Sequence, residues 1–122
     1  MSLNHFYNNI LVIDIETVSA TSDYDEMPQR LREHWDYKAS FIRNEEEVHA
    51  KELYFKKAAI YAEFGKIICI SAGFFHKLEN DDYQLRITSF ADDDEKKLLT
   101  DFRELLLKFP PKDLKLVAHN GK

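Results

Sequence analysis

The chain has 122 residues, a length typical of one domain, and its 44% hydrophobic content is sufficient for one packed core. The formal net charge of −5 excludes a basic surface spread over the whole chain, although an enzyme that acts on nucleic acid can still be acidic because its metal site concentrates carboxylates. No apolar run approaches the roughly 20 residues that span a bilayer, and the first residues do not resemble a secretory signal. We therefore expect a cytoplasmic protein with no membrane partner.

The first predicted element is a strand that carries two acids. The segment from Ile10 to Ile15 is apolar and β-branched apart from Asp14, which predicts a strand buried on both faces. Side chains alternate across a strand, so Asp14 and Glu16 share one face. Two carboxylates this close in a partly dry setting repel each other unless a cation neutralises them, which predicts a divalent metal. The alternative is that both acids bind loop amides or a nearby lysine.

Residues 18–63 carry no strand-like run, and we interpret about 18–64 as a helical insertion in a single domain. A first helix is predicted from Met27 to about Tyr37, since Pro28 lies near its start. Several aromatic and basic side chains of this region could stack on and grip single-stranded DNA: Arg30, Arg32, Trp35, Tyr37, Lys38, Phe41 and Arg43. Acidic residues interleave with them, so a solvated insertion without a ligand is the alternative.

A second helix is predicted over about 45–62. Asn44 and Glu47 have the spacing of a capping box at its start. Apolar residues then recur at helical spacing, namely Val48, Phe55, Ala59 and Ala62.

A strand hairpin follows. Gly65 precedes a dense apolar run that ends near His76, and the polar residues 79–82 separate it from a second arm that begins at Tyr83. In that arm Leu85 and Ile87 alternate with polar residues, which predicts an edge strand with one wet face.

The last elements are a helix and a short strand. Asp92 and Glu95 have capping-box spacing, and an apolar stripe runs from Leu98 to Phe109 before two prolines stop it. We interpret the acids at 92–95 as a helix start and not as a metal cluster, because negative side chains are favourable at the positive, N-terminal end of the helix dipole. Residues 114–118 then predict a short strand.

The order of these elements, with its two motifs, resembles the DnaQ-like, or DEDD, 3′→5′ exonucleases of the ribonuclease H-like superfamily. Asp14-Ile15-Glu16-Thr17 matches their first motif, and Val117-Ala118-His119-Asn120-Gly121 is similar to the opening of the second. Residues 61–70 are similar to a segment of stand-alone relatives of the family-B DNA polymerase proofreading domains. The resemblance implies an α/β fold whose mixed sheet has three antiparallel strands plus a parallel fourth, which lies beside the first.

The resemblance also implies a reaction, the hydrolysis of the 3′-terminal phosphodiester of nucleic acid, with single-stranded DNA as the expected substrate. Two Mg²⁺ or Mn²⁺ ions would take part. Asp14 would bridge both ions, and Glu16 would bind the ion that carries the attacking water. Thr17 would lie near the terminal nucleotide, and Asn120 would orient the strand. His119 would pack at the strand end beside the substrate, or it is an ordinary core or surface histidine.

Domains of this family use four carboxylates, and only Asp14 and Glu16 stand at matching positions. We therefore expect the N-terminal portion of such a domain, truncated after its fourth strand, with weak metal binding and no activity alone. The open edge of that strand predicts self-association. The alternative function is a non-catalytic module of the same fold that binds nucleic acid or protein. An actin-like ATPase half is disfavoured, because Glu16-Thr17-Val18 stands where a Gly-rich phosphate turn is needed.

Overall fold

The structure is a computed structural model that describes residues 7–42 and 47–119. It has an α/β fold, as the sequence predicts. The four strands in this part of the chain are β1 (Ile10–Ser19), β2 (Gly65–Lys77), β3 (Tyr83–Ala91) and β4 (Lys115–Val117). The three helices are α1 (Gln29–Ala39), α2 (Ala50–Lys57) and α3 (Glu95–Leu106), and Tyr24–Glu26 and Ala58–Ile60 form single 3₁₀ turns.

The four strands form one mixed sheet in the order β3-β2-β1-β4. β2 and β3 are antiparallel, with Lys77 opposite Tyr83 beside the turn. β1 is antiparallel to β2 and parallel to β4, with Val12 opposite Val117. The predicted hairpin, the edge position of β3 and the parallel pairing of the last strand with the first are therefore confirmed.

Contacts within the chain define two compact units. The sheet unit contains the described residues up to Glu16 together with those from Ile68 onward, and the helical unit contains Thr17–Ile67. No helix in the described ranges has both the length and the apolar character that a membrane crossing requires.

One face of the sheet packs against α3. Leu11, Ala72 and Leu105 form the buried centre of this contact. Phe90 meets Phe102 of α3 with ring centroids 6.0 Å apart. Other partly buried side chains pack around this centre: Ile13, Phe74, Leu106, Phe109 and Leu114. The predicted amphipathic stripe of α3 thus supplies the helical side of the core.

The start of α3 differs from the predicted capping box. Asp94 caps the helix, since its carboxylate accepts hydrogen bonds from the backbone N–H groups of Lys96 and Lys97 at 3.0 and 3.3 Å. Asp92 instead accepts from the N–H of Asp94 at 2.8 Å and forms an ion pair with Lys97. The acids do lie at a helix start, but the predicted cap residue was wrong by two positions.

The opposite face of the sheet is open among the described residues. Leu85 is 51% exposed and Ile87 is 71% exposed, although the alternation in β3 predicted that they would face a core. That prediction was wrong because α3 packs on the side of Phe90. Burial of β1 on both faces was also wrong, because only Ile10 and Leu11 of this strand are buried and Ile15, on the face of Leu11, is 43% exposed.

The helical unit has its own core, centred on Trp35. The indole is fully buried, and its Nε1 donates a hydrogen bond to the Ala50 carbonyl oxygen at 2.8 Å. Its ring meets Phe64 and Tyr54 edge-on, with centroids 5.0 and 5.5 Å away. The other buried members are Met27, Ala39, Leu53 and Ala58.

The second predicted helix was too long. α2 begins at Ala50 and ends at Lys57, and Glu47 adopts a positive φ of 49° that a helix does not contain. Asn44, the other half of the predicted capping box, lies outside the described residues. The buried side of α2 carries Leu53 and Tyr54, whereas Phe55, which the apolar spacing singled out, is 57% exposed.

Candidate functional site

Asp14 and Glu16 lie in the second half of β1, where side chains two residues apart share one face. Their Cα atoms are about 7 Å apart by the rise of an extended strand. Both side chains are exposed, and neither has a hydrogen-bond or ion-pair partner among the described residues. The two carboxylates therefore form an exposed acidic pair.

The predicted partly dry setting of Asp14 and Glu16 was wrong, because both side chains are exposed. Burial therefore does not force a cation onto the pair. The alternative, in which the acids bind loop amides or a lysine, requires hydrogen bonds that are not present in the described ranges. What supports a metal is the adjacency of two carboxylates whose oxygen atoms are free to coordinate.

Apolar surface lies beside Asp14. A shallow concavity of about 240 Å³ opens on the face of the sheet away from α3, and Asp14 is part of its wall. The other residues that line this sheet concavity are Val12, Ile13, Ser71, Ala72, Gly73, Phe75, Leu85 and Ile87. A carboxylate beside an apolar concavity can hold a ligand that has a positive charge, such as a bound cation, at one end and is apolar at the other.

His119 follows β4 and is exposed. Val117 is opposite Val12 in the parallel pair, and His119 lies in a turn two residues after β4 ends. The carboxyl ends of parallel strands meet at one edge of a sheet, where many α/β proteins bind ligands. Asp14 and Glu16 thus share one face of β1, and His119 follows the strand that pairs with β1, whereas Asn120 lies outside the described residues.

Thr17 belongs to the helical unit and makes a contact there. Its hydroxyl donates a hydrogen bond to the carbonyl oxygen of Ala59 at 2.7 Å. This bond ties the start of the unit to the 3₁₀ turn after α2. The predicted contact of Thr17 with a terminal nucleotide stays a prediction.

The carboxylate pair is a partial ligand set. The described residues contain no group of three or more His, Cys, Asp or Glu side chains placed to hold a metal ion. Mg²⁺ is commonly bound through one or two carboxylates, with waters and substrate phosphates as its other ligands. Oxygen-only donors also suit Mg²⁺ or Mn²⁺ better than zinc. Asp14 and Glu16 therefore fit such an ion as part of its coordination.

No family model, curated protein or solved structure matches this chain.

A second concave surface lies on the helical unit. Here we call it the α1 groove, and its lining residues are Leu31, His34, Tyr37, Lys38, Phe41, Glu63 and Phe64. Its volume is about 400 Å³. The sequence singled out Tyr37, Phe41 and Lys38 as candidates for stacking, and they do come together. Trp35 was wrongly included, because it is fully buried in the core, and Arg43 lies outside the described residues.

Proposed function

We propose that this chain contributes the first carboxylate pair of a metal-dependent 3′→5′ exonuclease that acts on nucleic acid, with single-stranded DNA as the substrate. The observation that carries the proposal is the exposed pair of Asp14 and Glu16 on one face of β1. The parallel pairing of β1 with β4, the strand that His119 follows, supports it. A cytoplasmic location is part of the same proposal.

Within this proposal each residue has a separate role. The oxygens of Asp14 and Glu16 would hold divalent ions, and His119, which follows β4, would pack beside the substrate. A bound pair of ions would supply an activated water and stabilise the leaving oxygen. The apolar concavity next to Asp14 provides a surface for the sugar or base of the terminal nucleotide.

The two carboxylates are half of the set that the resemblance requires. The family's other two acids have no counterpart among the 122 residues. We therefore expect the 122-residue chain to bind Mn²⁺ weakly and to release no nucleotides at a useful rate.

The experiment that tests the site is paramagnetic broadening by Mn²⁺ in an NMR spectrum of the chain. We expect the first signals to broaden to be the amides around Asp14, Glu16 and His119. Asp14→Asn should remove this selectivity, whereas Asp93→Asn, an exposed acid at the start of α3, should leave it intact. Broadening centred on other residues would contradict the proposal. Nucleotide release that continues at the same rate in Asp14→Asn would also contradict it.

A non-catalytic binding module is the second candidate. The exposed aromatic pair Tyr37 and Phe41 favours it, because such side chains bind bases without any chemistry. The two functions differ in their dependence on metal. Binding of single-stranded DNA together with no selective Mn²⁺ site would favour the module.

A further inference from the structure

Two exposed aromatic rings stand side by side at the end of α1. Tyr37 is 71% exposed and Phe41 is 72% exposed, and their ring centroids are 5.0 Å apart at an interplanar angle of 69°. The turn that ends α1 fixes this arrangement. The backbone N–H of Phe41 donates to the Lys38 carbonyl at 3.0 Å, and the Ser40 hydroxyl donates to the Tyr37 carbonyl at 2.6 Å.

The stability of the helical unit does not account for these two rings. Its core already closes around Trp35, and neither ring is part of the buried cluster. Single exposed apolar side chains are ordinary on protein surfaces. Two adjacent rings that line the α1 groove, above the apolar side chains of Leu31 and Phe64, are instead typical of a ligand site.

The polar side of the α1 groove is an ion pair. The Lys38 ammonium lies 3.0 Å from a carboxylate oxygen of Glu63 and 4.3 Å from the centre of the Tyr61 ring, so two contacts hold its position. The pair presents a donor and an acceptor together but no net charge. His34 adds one more polar group. This combination suits a flat ring with donors and acceptors at its edge better than it suits a phosphate.

We propose that the α1 groove binds an unpaired nucleobase, which stacks on one ring of the Tyr37–Phe41 pair and meets the other at an angle, while its polar edge meets Lys38 and Glu63. This inference rests on the proposed function and adds to it a base-binding site in the helical unit. The volume of about 400 Å³ is within the usual range for a small-ligand site. Because the ion pair is neutral, the bases and not the phosphates provide the affinity.

Fluorescence anisotropy with an end-labelled oligothymidylate tests the inference, with EDTA present so that no metal site contributes. Stacking contributions correspond to about 5-fold to 150-fold weaker binding when one ring is removed, so we expect losses of that size in Tyr37→Ala and in Phe41→Ala. Tyr37→Phe keeps the ring and should bind nearly as the unchanged chain does. Phe55→Ala is the matched control, because Phe55 is an exposed aromatic of the same unit outside the groove.

An abasic oligonucleotide of the same length separates bases from phosphates. We expect it to bind at least about 5-fold more weakly than oligothymidylate, because it lacks the bases that stack. The inference would be overturned if the two oligonucleotides bound equally well or if the intact chain bound neither. It would also be overturned if Phe55→Ala weakened binding as much as Tyr37→Ala does, or if the groove bound a proline-rich peptide in place of DNA. The Mn²⁺ experiment on Asp14 and Glu16 uses no DNA and this assay uses no metal, so failure of the carboxylate site and failure of the groove give different results.

Discussion

Val117 lies opposite Val12 in the parallel pair of β4 and β1. Because both strands run in the same direction, Asp14 and the residues after Val117 follow toward the same end of the sheet. Residues more than 100 positions apart in the chain thereby lie in neighbouring strands. This register connects the first predicted motif to the second.

β4 is the outer strand of the described sheet, and Leu116 and Val117 are 57% and 47% exposed. An exposed edge strand with apolar side chains is a site for pairing with another copy. We expect the chain to self-associate through β4, and we expect Val117→Lys to weaken this association. Sedimentation velocity over a range of concentrations measures the effect.

Leu107→Lys is the matched control for the edge, because Leu107 is 71% exposed and lies after α3. It should leave association unchanged. A monomer at every concentration, or an equal effect of the two variants, would contradict association through β4.

Gly65 stands where a side chain does not fit. A Cβ at this position would lie 2.7 Å from the Ala59 carbonyl oxygen and 3.0 Å from that of Tyr61, and both atoms belong to the backbone. We expect Gly65→Ala to lower the free energy of unfolding by about 1–3 kcal/mol, since the backbone has to shift. Urea unfolding followed by circular dichroism measures the change.

Gly73 provides the comparison for Gly65. A Cβ there would meet its nearest atom, in the Leu85 side chain, at an ordinary 3.6 Å. We expect Gly73→Ala to change the free energy of unfolding by less than about 1 kcal/mol, because alanine also suits a strand better than glycine. Equal losses at the two positions would show that the close approach at Gly65 is not the cause.

The hydrogen bond from the Tyr24 hydroxyl to Asp36, 2.6 Å long, makes stability depend on alkaline pH. This bond, with burial and the negative charge of Asp36, raises the pKa of Tyr24 from 10.0 to about 12. Its contribution to stability is complete below pH 10.0, falls as the unfolded tyrosine ionises, and is lost as the pH rises through about 12. The difference in stability between the unchanged chain and Tyr24→Phe should therefore shrink as the pH rises from about 9 to about 11. Urea unfolding at each pH measures it, and a constant difference would count against this role.

Local patterns predicted much of the fold. The apolar runs around residues 79–82 were sufficient for the β2–β3 hairpin, and the stripe from Leu98 onward was sufficient for α3. These features depend on near neighbours in the sequence. The sharing of one face by Asp14 and Glu16 is local in the same way, because it follows from strand alternation alone.

The errors concern contacts between distant segments. Alternation in β3 shows that Leu85 and Phe90 point to opposite faces, but it does not show which face α3 covers. Trp35 is surrounded in sequence by charged residues, and only its packing against α2 and Phe64 makes it a core residue. The exposure of Asp14 likewise depends on which elements cover the sheet, so the buried setting of the acids could not be tested from β1 alone.

The proposed role of Asp14 and Glu16 is to bind a divalent ion together. Titration of Mn²⁺ into the chain, with free Mn²⁺ followed by electron paramagnetic resonance, tests it most directly. We expect weak binding that Asp14→Asn and Glu16→Gln each reduce by about tenfold or more, since even loss of a residue that only supports a metal ligand costs that much. Asp93→Asn should bind as the unchanged chain does. Mn²⁺ binding that is the same in all four proteins, or undetectable in the unchanged chain, would contradict the claim.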